Sequence, residues 1–188
     1  MTFEVELKFR VSDHEALRQR LSELGASPEP VESQADLYLA HPCRDFVQTD
    51  EAVRIRTIGS QSWLTYKGPA LDSVVKSRQE IELPLGDETA RQQWESVFQL
   101  LGFRPVLTVR KTRQPFSLEI DSRSFHVSLD DVAPLGRFVE LELLTEQGDL
   151  SAAQAAVQSL AARLRLENIE PKTYLKLLLE LTSEAVPA

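Results

Sequence analysis

From Phe3 to Arg10 the chain alternates without a break, with Phe3, Val5, Leu7 and Phe9 on one side and Glu4, Glu6, Lys8 and Arg10 on the other. Period-two alternation predicts a half-buried strand, because successive side chains of an extended chain point to opposite faces. A charged face backed by an apolar one limits the choice of fold. The apolar side must be covered, and the charged side must meet either solvent or a polar ligand.

The pattern recurs. Arg54 and Arg56 oppose Val53 and Ile55, Lys67 shares a face with Thr65, and Arg78, Glu80 and Glu82 oppose Ile81 and Leu83. Lys111 and Arg113 lie two apart; His126, Ser128 and Asp130 share a face; Glu140 and Glu142 oppose Val139, Leu141 and Leu143. Two readings follow. One is a wet sheet face laced by cross-strand ion pairs, each worth at most about 1 kcal/mol. The other is a sheet that closes, so that its charged face encloses water, counter-ions and ligand. A merely solvated face admits Ser, Thr, Gln and Asn freely, whereas these positions are mostly Glu, Arg and Lys, which favours enclosure. Clustered Arg and Lys suit phosphate oxygens, and clustered carboxylates suit hard divalent cations such as Mg²⁺. Both signs in one cavity point to a metal–polyphosphate complex.

The remaining organisation is coarse. Strand patterns fall at residues 2–11, 32–40, 51–58, 62–68, 77–85, 104–113, 116–121, 124–131 and 137–145. Helix patterns follow Ser12 or Asp13 as N-cap up to Gly25, span 87–102 with Gly102 as the stop, and occupy 150–166 and 171–183, the last with Pro171 at its first position. Residues 41–50 read as a loop. The spacing is hairpin-like, not the strand–helix alternation of a parallel sheet, so one α+β domain on an antiparallel sheet is expected over 1–183, with 184–188 a short C-terminal tail. The net charge of −8 argues against nucleic-acid binding. No apolar run approaches the roughly 20 residues of a membrane span and no signal-peptide core follows Met1, so a cytoplasmic protein without a membrane partner is expected. Cys43 is the only cysteine, which excludes an intramolecular disulfide and a thiolate metal cluster.

Glu4-x-Glu6-x-Lys8 is similar to the ExExK signature of the CYTH superfamily, the triphosphate tunnel metalloenzymes. Arg54-x-Arg56, Lys67-Gly68, Arg78-x-Glu80-x-Glu82, Lys111-x-Arg113, Asp130 and Glu140-x-Glu142 follow in that family's order, so the resemblance spans residues 2–180. It implies a closed eight-stranded antiparallel β-barrel, a tunnel with a charged interior flanked by amphipathic helices. It also implies action on a nucleotide or organic triphosphate with Mg²⁺ or Mn²⁺. The stretch DLYLAHPCRDFVQTDEAVRIR followed by LTYKGP resembles the class IV adenylyl cyclase subgroup, which implies conversion of ATP to cyclic AMP and pyrophosphate. A triphosphatase acting on thiamine triphosphate or inorganic tripolyphosphate is the alternative, and a non-catalytic polyphosphate-binding module the second.

By the same resemblance Glu4, Glu6, Asp130, Glu140 and Glu142 are metal ligands, and Lys8, Arg54, Arg56, Lys67, Arg78, Lys111 and Arg113 bind the triphosphate. Glu4, Glu6, Lys8, Lys67 and Glu142 form the catalytic set. Glu80 and Glu82 are either further ligands or partners of the cations. Lys172, with Tyr174 in PKTYLKLL, matches a late motif whose lysine reaches the tunnel mouth, and a homodimer is the assembly the resemblance suggests. Arg10 and His41 read as solvated, His126 is open to a tunnel role, and Trp63 and Trp94 read as packing.

Overall fold

The computed structural model describes residues 2–71 and 75–184. Its strands are β1 (Thr2–Val11), β2 (Ser27–Pro28), β3 (Glu32–Ala40), β4 (Ala52–Ile58), β5 (Gln61–Lys67), β6 (Lys76–Gly86), β7 (Arg104–Ile120), β8 (Arg123–Val132) and β9 (Gly136–Glu146). Its helices are α1 (Glu15–Glu23), α2 (Phe46–Thr49), α3 (Glu88–Leu100), α4 (Leu150–Arg163) and α5 (Tyr174–Glu184). The hydrogen-bonded order is β2-β7-β3-β4-β5-β6-β1-β9-β8, and β7 pairs with β8 as well. Eight strands therefore close on themselves in connectivity as an antiparallel β-barrel, with β2 an extra strand on β7. The class is α+β, as the alternating patterns predict.

The chain divides into two compact units. Among the described residues the first comprises 2–32, 70–71, 75–79 and 112–171, and the second 33–69, 80–111 and 172–184.

In the first unit the register pairs Val5 with Leu143, Leu7 with Leu141 and Phe9 with Val139. Opposite residues of an antiparallel pair share a face, so these strands present one continuous apolar surface. Leu17 and Leu21 of α1 and Ala153, Val157 and Leu160 of α4 cover it. Each fully buried side chain of this size contributes about 1.5–3 kcal/mol, and Leu141→Ala, at a position without solvent exposure, would cost about 2–5 kcal/mol. The reverse face of the same strands carries Glu4, Glu6, Lys8, Glu140 and Glu142.

The second unit has a smaller core of Leu39, Val53, Ile55 and Leu85, packed by Phe46, Leu64, Tyr66, Phe98 and Phe103. Helix α3 starts where Asp87 Oδ1 accepts the Ala90 amide at 3.0 Å. It stops at Gly102, whose left-handed φ of 89° lets its own amide reach Gln99 O and that of Phe103 reach Phe98 O.

Four local expectations are corrected. The two strands expected at 104–113 and 116–121 are one, β7, which runs through Pro115. Proline's fixed φ suits extended backbone and only one ladder donor is missing, while the Pro115 carbonyl accepts the Glu29 amide at 2.9 Å. The expected loop 41–50 contains the single turn α2, because Asp45 Oδ1 accepts the amides of Val47 and Gln48. Helix α5 begins at Tyr174, not at Pro171. Thr173 starts it, with its hydroxyl accepting the Lys176 amide and its carbonyl the Leu177 amide. Helix α1 has His14 as N-cap, one or two residues past the expected Asp13 or Ser12, although Asp13 Oδ1 still accepts the Glu15 amide at 2.8 Å. The expected tail lies, beyond Glu184, outside the described residues. Among the described residues no helix is long and apolar enough to cross a membrane.

Candidate functional site

In the second unit the polar faces of β3, β4, β5, β6 and β7 deliver one ionic cluster. Register sets Asp36 opposite Arg56, and Lys67 opposite Glu80. The Asp36 carboxylate is the hub. Arg56 Nε donates to Oδ1 and Nη2 to Oδ2, both at 2.8 Å, a bidentate fork. Arg54 Nη1 donates to Oδ2 at 3.3 Å and Lys111 Nζ stands 3.9 Å from it. Burial by itself would raise the Asp36 carboxyl, but the charges of Arg54 and Arg56 outweigh it and hold the group well below the usual carboxylate range. The Lys111 ammonium also lies over the Tyr174 ring, 5.2 Å from its centroid. Beside this hub, Lys67 Nζ meets Glu80 Oε2 at 2.8 Å and Arg54 Nη2 lies 3.9 Å from Glu80 Oε1. Glu80 thus pairs with cations, whereas Glu82 is exposed and accepts the Thr65 hydroxyl at 3.0 Å.

The first unit shows the inverse cluster. Arg113, on β7, forks Asp130 through Nε and Nη2, both at 2.7 Å. Its Nη2 also donates to Glu140 Oε2, and Nη1 is 3.9 Å from Glu142 Oε1. Burial disfavours this guanidinium's charge, but Asp130 and Glu140 outweigh it and push its pKa well above the ordinary arginine value. On β1 the register sets Glu4 opposite Arg78, Glu6 opposite both Glu142 and Lys76, and Lys8 opposite Glu140. Glu4, Lys8, Arg78 and Glu140 are all buried.

The donor set for a divalent cation can be judged from these placements. Glu6 and Glu142 are carboxylates at opposed positions of neighbouring strands, where like charges repel unless a cation or proton offsets them. Among the described residues no group of three or more His, Cys, Asp or Glu side chains can hold a metal ion alone, and Arg113 occupies Asp130 and Glu140. Mg²⁺ characteristically takes one or two carboxylates and fills its remaining positions with water and phosphate oxygens. A pair such as Glu6 and Glu142 fits that demand, and Asp130, with no exposed surface inside the Arg113 fork, does not.

Other expected residues lie elsewhere. Lys172 is 43% exposed and pairs with Glu180 at 2.7 Å. Arg10 is half-exposed, pairs with Glu170 at 2.7 Å and stacks on the Phe138 ring. His126 is exposed. His41 accepts the amides of Cys43 and Arg44 through Nδ1 and sits between the rings of Phe46 and Phe103, so it organises its loop. Sequence reasoning missed Asp36. Its signal was present: in ESQADLYLA, Gln34, Asp36 and Tyr38 alternate with Ala35, Leu37 and Leu39, the same two-faced pattern with its two charges, Glu32 and Asp36, four residues apart instead of two.

A closed antiparallel barrel connectivity whose strands carry buried, mutually paired charges defines the class of this protein. The chain belongs to the CYTH domain family, whose profile matches residues 2–174. It is 34% identical over 179 residues to a chain of Methanocaldococcus jannaschii provisionally named an adenylate cyclase, covering 93% of this chain and 97% of that one. It is 31% identical to adenylate cyclase CyaB of Aeromonas hydrophila, across 99% of this chain and 95% of that protein. The solved structure of the PH1819 protein from Pyrococcus horikoshii superposes with a TM-score of 0.82 at 35% identity, covering 95% of this chain and 99% of the other.

Proposed function

We propose that this protein binds a nucleotide triphosphate with Mg²⁺ or Mn²⁺ and converts ATP to cyclic AMP and pyrophosphate. The observation that carries the reading is the second unit's cluster, in which Arg54, Arg56 and Lys111 converge on one buried carboxylate and outnumber it. Cations held close together at that surplus are what a polyphosphate needs. Likeness over nearly the whole chain to relatives named adenylate cyclases supports the choice of reaction.

In that reaction the ribose 3′ oxygen bonds to the α-phosphorus, the bond from that phosphorus to the α–β bridging oxygen breaks, and pyrophosphate leaves with the electron pair. The 3′ proton passes to solvent. Arg54, Arg56, Lys67 and Lys111 bind the triphosphate oxygens and keep the leaving group in line with the attack. Glu6 and Glu142 hold the cation. When bound, that ion supplies charge neutralisation and a lowered hydroxyl pKa. No protein nucleophile is required.

The test is incubation of the purified chain with Mg²⁺ or Mn²⁺ and, in turn, ATP, thiamine triphosphate and inorganic tripolyphosphate. Cyclic AMP with stoichiometric pyrophosphate is the expected result. Orthophosphate release instead would replace the cyclase with a triphosphatase. Tight binding of all three without turnover would leave a binding module.

A further inference from the structure

An anion at the centre of a phosphate-binding cluster is unexpected on charge alone. Asp36 removes one unit of the positive charge that would attract a polyphosphate, and it is 1% exposed, so it is not placed to touch a ligand itself. Its contacts explain what it does. The fork engages the Nε–Nη2 edge of Arg56, and because a guanidinium is planar this fixes the ring of donors and turns the Nη1 hydrogens to the opposite edge. The second carboxylate oxygen ties Arg54 and draws in Lys111, whose other side rests on the Tyr174 ring. Three long, flexible cationic side chains thereby share one rigid reference point. Without it their mutual repulsion would spread them apart.

We infer that Asp36 is a positioning residue that sets the spacing of Arg54, Arg56 and Lys111 for a chain of linked phosphates and so gives the cluster its preference for polyphosphate over single phosphate groups. The assignment rests on the phosphate-binding reading above. A loose set of cations attracts any anion by charge, whereas a set held at fixed spacing rewards an anion whose oxygens recur at matching intervals. Asp36 thus lowers overall attraction and raises discrimination.

The full-length chain is titrated calorimetrically with inorganic tripolyphosphate and with orthophosphate, and the ratio of the two dissociation constants is compared with that of Asp36→Asn. The expected ratio in the variant is lower by about tenfold or more, with orthophosphate affinity unchanged or tighter because a negative charge is gone. Where circular dichroism shows that Asp36→Asn does not fold, Asp36→Glu serves. It keeps the charge, displaces the fork by one methylene, and is expected to lower the ratio by about fivefold. A folded variant that keeps the wild-type ratio overturns the inference, as does a parallel loss of both affinities. A wild-type chain that binds tripolyphosphate no better than orthophosphate overturns the functional reading first, and this assignment with it.

Discussion

In the second unit a single carboxylate, Asp36, stands among Arg54, Arg56 and Lys111; in the first a single guanidinium, Arg113, stands among Asp130, Glu140 and Glu142. The two hubs use the same Asp–Arg fork, Nε and Nη2 on the two carboxylate oxygens, and differ in the sign of what surrounds it. A buried charge is tolerated only when paired, so each fork neutralises its own centre. What stands around each fork differs in sign: Arg54 and Lys111 in the second unit, Glu140 and Glu142 in the first. On the function proposed above, the cationic cluster of the second unit would hold polyphosphate oxygens and the anionic cluster of the first a hard cation. A count of charges over the whole chain, which is net acidic, conceals this division.

The hubs also differ in what removal would do. Arg113→Met leaves the buried carboxylates of Asp130 and Glu140, and the partly exposed one of Glu142, without their shared cation, and the expected loss is about 3–5 kcal/mol of unfolding free energy at pH 7. Part of that loss should return as the pH is lowered to 5, because protonation relieves like-charge repulsion. Urea denaturation at both pH values measures it, and equal losses at the two would break the comparison. Next in size is Glu142→Gln, expected to reduce metal-dependent turnover about 100-fold, with Glu6→Gln equivalent, while the denaturation midpoint stays near that of the parent. Full activity in both would remove the anionic cluster from cation binding.

A smaller effect comes from acid. The folded Asp36 carboxyl lies well below its ordinary value of 3.8. A depressed carboxyl contributes stability that is fully present above the unfolded value and is lost as pH falls through the folded one. The stability gap between the parent and Asp36→Asn should therefore be constant from pH 7 to 5 and shrink below pH 4. A gap that stays level to pH 3 would show that the fork does not hold the carboxyl ionised.

Strands were legible wherever polar and apolar residues alternate, and β3 matches its expected span residue for residue because ESQADLYLA alternates to its end. Structure set by one capping bond was not legible. Asp45 starts α2 and Thr173 starts α5 through contacts of a few atoms that leave no periodic trace. The ionic residues could be read as candidates because charge at every second position is conspicuous. Their pairing could not, since the register that sets Lys8 opposite Glu140 and the fork that sets Arg113 on Asp130 join segments far apart in the chain. Asp36 escaped notice because the other charge of its strand, Glu32, lies four residues away instead of two. Its importance comes from β4 and β7, not from its own neighbours.

The smallest predicted effect separates two lysines that the sequence presents alike. Lys111 is buried against Asp36 and the Tyr174 ring, whereas Lys172 is 43% exposed and pairs with Glu180 across the first turns of α5. An exposed ion pair is worth at most about 1 kcal/mol, because water screens it and the side chains give up entropy to form it. A desolvated ammonium held among other cations meets a polyanion with far less screening. Lys111→Ala should therefore weaken tripolyphosphate binding by more than about tenfold, and Lys172→Ala by less than about threefold. Titration calorimetry on the two variants decides the matter. If Lys172→Ala gave the larger loss, the start of α5 would have to be counted with the phosphate-binding cations, and the cluster around Asp36 would lose its claim to be the principal one.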